Sequence, residues 1–183
     1  MGRRNPAGDL KSREQTANSS TAKGIVESTA FRSRTETANN MRWKQIEAKP
    51  KVFALIFETG DEVLSGLQRF SKEQGLAGSS FKAIGALSYA KLGWFNWETK
   101  KYQPAVVLDE QVELLSMIGD IALKDGEPQV HAHVVVGRSD GTAHGGHLIE
   151  ARVRPTCELI LTESSTQLQK KIDPESGIAL IQI

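Results

Sequence analysis

The 183 residues are 39% hydrophobic and 25% charged with a net charge of +1, the balance of one soluble globular domain with a full-sized core. No apolar run reaches the roughly 18 residues that a membrane-spanning helix needs. Arg3-Arg4 has no apolar segment behind it, so a secretory signal is not expected and the cytoplasm is the expected compartment. The single cysteine, Cys157, excludes an internal disulfide and, beside Leu159-Ile160-Leu161, reads as a small buried hydrophobe.

Residues 1–40 are rich in Ser, Thr, Asn and charge, with seven Lys/Arg against four Asp/Glu. So little apolar content cannot offset the entropy of ordering, and a disordered, mildly basic tail is expected ahead of a domain over 41–183. Met41-Arg42-Trp43 leads directly into that domain, and Met41 is an alternative start. Lys51 to Glu58 is a β-rich run, the first expected strand. A turn at Thr59-Gly60-Asp61 follows, with Thr59 or Asp61 as the expected cap of an amphipathic helix. Val63, Leu64, Leu67 and Phe70 recur at helical spacing, and Gly75 ends it, so the helix spans Asp61 to Gln74. A strand pair is expected over Ser80–Leu87 and Tyr89–Asn96, bent near Gly85 and Gly93. Trp94-Phe95-Asn96-Trp97 has the look of a stacking platform for bases, but a packed sheet edge at a subunit interface is the favoured reading.

Gln111 to Leu123 reads as a long strand, with Gly119 marking a bulge. Glu113 stands there in apolar company and needs a partner. It is a candidate general base or outer partner of an imidazole, with a salt-bridged structural glutamate as the plainer reading. Glu158, within Thr156-Cys157-Glu158-Leu159, poses the same choice. Arg152 and Arg154 share one face of a strand, suited to a substrate anion or a neighbour's carboxylate. Toward the end, a short element at Gln167–Lys171, a turn at Asp173–Gly177 and a strand at Ile178–Ile183 close the chain.

All four histidines lie between Val130 and Glu150, in VHAHVVVGRSDGTAHGGHLIE. His131 and His133 open the β-branched run Val134-Val135-Val136, and residues i and i+2 of a strand share a face. Ser139-Asp140-Gly141 turns the chain back antiparallel toward His147. Gly145-Gly146 suits a bulge or a close backbone approach. Neutral imidazole is the common nitrogen ligand of zinc, so His131, His133 and His147 form a candidate divalent metal site with an open position. The plainer alternative is a set of half-buried histidines bonded to backbone or solvent. His144, offset by three from His147, points to the other face and reads as a surface or outer-shell residue, with its step from His133 keeping it a rival third ligand.

Val112-Glu113-Leu114-Leu115-Ser116-Met117-Ile118-Gly119, Asp125-Gly126-Glu127-Pro128-Gln129-Val130-His131-Ala132-His133, Asp140-Gly141 to Gly145-Gly146-His147-Leu148 and Thr156-Cys157-Glu158 together resemble the PPC domain (plant and prokaryote conserved, also called domain of unknown function 296). Ala83-Ile84-Gly85-Ala86-Leu87-Ser88 fits as well, and the likeness covers about residues 50–183. The resemblance implies an α/β (α+β) domain with a twisted, largely antiparallel sheet, one main amphipathic helix and assembly into homotrimers. It also implies that His131, His133 and His147 are the metal positions. The architecture is similar, more distantly, to acetolactate decarboxylase, where three histidines hold zinc. Plant members of the family pair the domain with an AT-hook built on Arg-Gly-Arg-Pro, a core from which Gly2-Arg3-Arg4-Asn5-Pro6 departs.

Two functions follow. One is DNA binding, as the family association suggests, although removing the tail leaves 16 Lys/Arg against 18 Asp/Glu in residues 41–183, and duplex affinity rests on phosphate neutralisation. The other, favoured here, is a zinc site serving a small-molecule ligand. It extends to a lyase or hydrolase on a small carboxylated molecule, with Glu113 or Glu158 moving a proton and Arg152 or Arg154 holding the carboxylate. No membrane partner is expected.

Overall fold

The computed structural model describes residues 50–183 and the backbone of Arg42–Ala48; the expected tail over 1–40 lies outside the described residues. Ten elements follow in chain order: β1 (Arg42–Ala48), β2 (Lys51–Glu58), α1 (Val63–Gln74), β3 (Gly78–Asn96), β4 (Lys101–Leu108), β5 (Val112–Lys124), β6 (Glu127–Gly137), β7 (Ala143–Glu163), β8 (Gln169–Ile172) and β9 (Ala179–Gln182). This is the expected class, a largely antiparallel sheet with one helix packed on it. β1, antiparallel to β2, is a strand that the sequence reading left out.

Helix α1 forms where apolar residues recur every three to four positions, and Val63, Leu67 and Phe70 are fully buried along that stripe. Its cap is Glu62 and not Asp61 or Thr59. The Glu62 carboxylate accepts from Leu64 N at 3.2 Å and Ser65 N at 2.7 Å, filling two of the donors that a helix start leaves open. It also accepts from Ala151 N at 3.2 Å, which ties the helix start to β7. Asp61 turns backward instead and accepts from Glu58 N at 2.9 Å. Gly75 ends the helix as expected, in the left-handed region at φ 62°. The face of α1 meets β2 through Phe53 and Phe70, whose rings contact edge to face at 5.3 Å.

The sheet closes on itself. β3 pairs with β5, β5 with β6, β6 with β7, and β7 with β3, so these four strands form a ring. β3 is one 19-residue strand and not the expected pair. It survives its bends because bulges absorb them, with register shifts around Gly85 against both neighbours. Gly85 itself has φ 156°, and a Cβ there would collide with Thr156 O. The bulge expected at Gly119 lies instead between Leu114 and Ser116. Gly119 is in regular register with Phe81 and Ala132. It is glycine because a Cβ would strike the Phe81 ring and His131 O. Cys157 is fully buried, and burial pushes its thiol up to about 12, which makes it an inert core residue. No helix among the described residues is long and apolar enough to cross a membrane.

A three-histidine cleft as candidate metal centre

β5 and β6 are joined by Asp125-Gly126, both with positive φ (53° and 83°), as a tight two-residue hairpin requires. That turn sets Lys124 opposite Glu127, and counting back from it places Asp120 opposite His131 and Ile118 opposite His133. Ala132, Val134 and Val136 are buried, so by strand alternation the intervening His131 and His133 point away from the core. The chain then reverses through Arg138–Thr142. Arg138 N donates to Thr142 O at 2.8 Å, and Asp140 Oδ1 accepts from Thr142 N at 2.9 Å. β7 returns with His147 directly opposite His133. There is no bulge at Gly145-Gly146. Their role is close approach: a Cβ on Gly146 would lie 2.7 Å from Gly93 O on β3.

The three imidazoles converge. One ring nitrogen from each of His131, His133 and His147 lies within 4.8 Å of the others, with ring centroids 5.1–5.4 Å apart. Burial, followed by the neighbouring His131 and His133, pushes His147 down to about 4. Burial and then His131 lower His133 as well. Rings so shifted are neutral near pH 7 and carry the lone pairs a metal needs. Nδ1 of His147 is buried and has no hydrogen-bond partner among the described residues, an uncommon state for a buried polar atom and the state expected of a ligand atom. Tyr102, on β4, stacks on His147 with centroids 4.0 Å apart at 22°, and burial raises its hydroxyl pKa. The donor set therefore fits a divalent ion of the zinc type.

Beside His131 and His147 lies a cleft of about 540 Å³, lined also by Tyr102, Asp120, Lys124, Lys170 and the β8–β9 hairpin. Asp120 Oδ2 is 3.2 Å from His131 Nδ1, and Lys170 Nζ is 2.6 Å from Asp120 Oδ1. Burial by itself would raise the Asp120 carboxyl, but the bond with His131 and the Lys170 ammonium outweigh it and hold the group below its ordinary value.

The other candidates stand elsewhere. His144 pairs with Val136, apart from the three rings. Glu113 and Glu158 are exposed and share a different, shallow pocket with Ile84 and Leu115. Arg152 is salt-bridged to Glu150 at 2.9 Å. Arg154 donates to Gln111 Oε1 at 2.6 Å. Neither arginine lines the histidine cleft, whose cationic groups are Lys124 and Lys170. Trp94 and Trp97 are exposed; Trp97 meets Phe95 edge to face at 6.0 Å, and Lys100 Nζ lies 3.5 Å over its ring. Sequence reasoning missed Asp120, although the Asp125-Gly126 turn carried the register that pairs it with His131.

Comparison with known proteins agrees with this architecture. A 1.60 Å crystal structure of a plant- and prokaryote-conserved protein from Pyrococcus horikoshii is 32% identical, with a TM-score of 0.67 over 81% of this chain and 98% of that one. A metal-containing protein from Archaeoglobus fulgidus is 29% identical, with a TM-score of 0.67 over 78% and 98%. A candidate DNA-binding protein from Bacteroides thetaiotaomicron is 26% identical, with a TM-score of 0.71 over 76% and 96%. Among curated sequences, the bifunctional protein GlmU of Synechococcus sp. (strain JA-3-3Ab) is 31% identical over 136 residues, which are 73% of this chain and 20% of that protein. The chain thus spans about a fifth of the length of that relative. Residues 45–165 match the model of the Plants and Prokaryotes Conserved (PCC) domain, and the chain belongs to that family.

Proposed function

We propose that the protein binds a divalent metal ion, zinc, through His131, His133 and His147, and offers it to a small molecule entering the adjacent cleft. The observation that carries this reading is the convergence of three imidazoles, with His147 Nδ1 buried and without a hydrogen-bond partner among the described residues. The metal content of the Archaeoglobus fulgidus relative supports it. Bound there, zinc would supply a Lewis acid with a position left for water or ligand. The chain's own residues define the rest: Asp120 orients His131, Tyr102 covers one face of His147, and Lys124 offers a cation to a carboxylate. A lyase or hydrolase on a small carboxylated molecule is the enzymatic form of this reading.

Assembly as a homotrimer belongs to the same proposal. Ile84 and Ile118 are 61% and 62% exposed, and Leu115 and Ile160 join them on adjacent strands. Apolar residues in such a cluster are commonly covered by another protein surface. Because Ile118 pairs with His133, copies covering this face would also flank the metal site. DNA binding is the second reading, favoured by the description of the Bacteroides thetaiotaomicron relative. Its weakness is charge, 16 Lys/Arg against 18 Asp/Glu in residues 41–183, since phosphate neutralisation dominates duplex affinity.

Elemental analysis of protein purified without a metal-affinity tag tests the metal. About one zinc per chain is expected, and His131→Ala and His147→Ala should each hold far less. Substituted chains that retain as much metal as the wild type would refute the site.

A further inference from the structure

A lysine side chain is seldom buried unless it meets a counter-charge. That of Lys170 is only 4% exposed, and its ammonium is spent on Asp120. The other oxygen of the same carboxylate faces His131 Nδ1. One carboxylate on β5 therefore joins an imidazole on β6 to an ammonium on β8. Backbone attachment of β8 is concentrated at its start: one parallel bridge, Leu123 to Gln169, and two bonds of the preceding Leu168, whose O accepts from Leu123 N at 2.9 Å and whose N donates to Ala77 O at 2.8 Å. Yet β8 and β9, paired to each other, carry Ile172, Leu180 and Ile181, which form a wall of the histidine cleft.

We infer that Asp120 and Lys170 are positioning residues of the three-histidine centre, and that they couple the β8–β9 hairpin to metal binding. This rests on the metal reading above. An imidazole that donates from Nδ1 to a carboxylate has its Nε2 fixed as the lone pair, in ring orientation as well as tautomer. Lys170 holds Asp120 from the opposite side, so the carboxylate cannot swing away from His131. A cation drawing electron density from His131 makes the Nδ1 hydrogen a stronger donor. The Asp120 contact then tightens and, through Lys170, so does the hairpin that walls the cleft. A ligand pressing on the hairpin would act on the metal site by the same route in reverse.

The test measures Zn²⁺ affinity by competition with a chelating dye, and amide hydrogen exchange across residues 169–182 with and without Zn²⁺, on the full chain. Asp120→Asn and Lys170→Met should weaken binding by about ten- to a hundredfold, while Lys170→Arg, which keeps the cation, stays near wild type. Zn²⁺ should slow exchange in the wild-type hairpin and lose that effect in Lys170→Met. Variants that bind Zn²⁺ as tightly as wild type, or a wild-type hairpin indifferent to Zn²⁺, would overturn the coupling. The wild-type comparison needs no substitution, so it decides even where a variant fails to fold. A wild-type chain that binds no Zn²⁺ would overturn the three-histidine reading and this inference with it; tight wild-type binding with unaffected variants overturns this inference alone.

Discussion

The outward face of the sheet holds two adjoining regions of opposite character. In one, His131, His133, His147, Asp120 and Lys170 gather polar groups into a cleft. In the other, Ile84, Leu115, Ile118 and Ile160 stand exposed with two glutamates beside them. They meet at one cross-strand pair, Ile118 with His133. The same strands, β5 and β7, supply both, so neither sequence position nor element type distinguishes them. Whether a polar residue meets other polar groups across the ladder does. Asp120 has His131 opposite it, whereas Glu113 has Gly137 and Glu158 has Ile56 and Ile84.

The apolar region offers the largest test of this division. Ile84→Glu together with Ile118→Glu should dissociate the proposed homotrimer, read as mass by light scattering, because charges in an apolar interface are costly to desolvate. The metal content of the separated chains shows whether the comparison holds. Retained metal keeps the regions distinct, and its loss would make them one surface. Next in size is Gly119→Ala, which forces a methyl against Phe81 and His131 O on the seam between them. Overpacking of this kind costs about 1–3 kcal/mol, or roughly 2–4 °C of Tm per kcal/mol in a chain this long.

A third prediction concerns protons in the cleft alone. His147 is held neutral in the fold, down to about 4 from an ordinary 6.5. A group with a depressed folded value favours the native state fully above pH 6.5, and that contribution is lost as pH falls toward 4. Chelator-treated protein should therefore lose thermal stability across that window, and His147→Gln should flatten the profile. The smallest effect is expected from Glu113→Gln and Glu158→Gln. Both sites are exposed and outside the cleft, so metal stoichiometry should stay unchanged in elemental analysis.

Much of this is legible in the sequence. The His-x-His strand, its return to His147, the amphipathic stripe of α1, the stop at Gly75 and the terminal hairpin all follow from periodicity and turn residues, which act over a few positions. What escaped depends on longer distances or on competition between neighbours. Asp61 and Glu62 are both acidic residues at a helix start, and the bond from Glu58 N to Asp61 leaves the cap to Glu62. The continuity of β3 through Gly85 depends on bulges against two strands at once. Lys170 reaches Asp120 across some fifty residues, and no local pattern marks a lysine that will be buried.

The ring of β3, β5, β6 and β7 has a consequence for how the ligand set can fail. In an open sheet an edge strand can pair one residue out of place and still keep most of its bonds. Inside a ring, a shifted β6 would have to satisfy β5 and β7 together while turning Ala132 and Val134 out to solvent and His131 and His133 into the core. A one-residue slip of β6 is thereby opposed from both sides, and the register that brings His131 and His133 to His147 is specified twice. Closure guards the ligand set, like a lock with two keys.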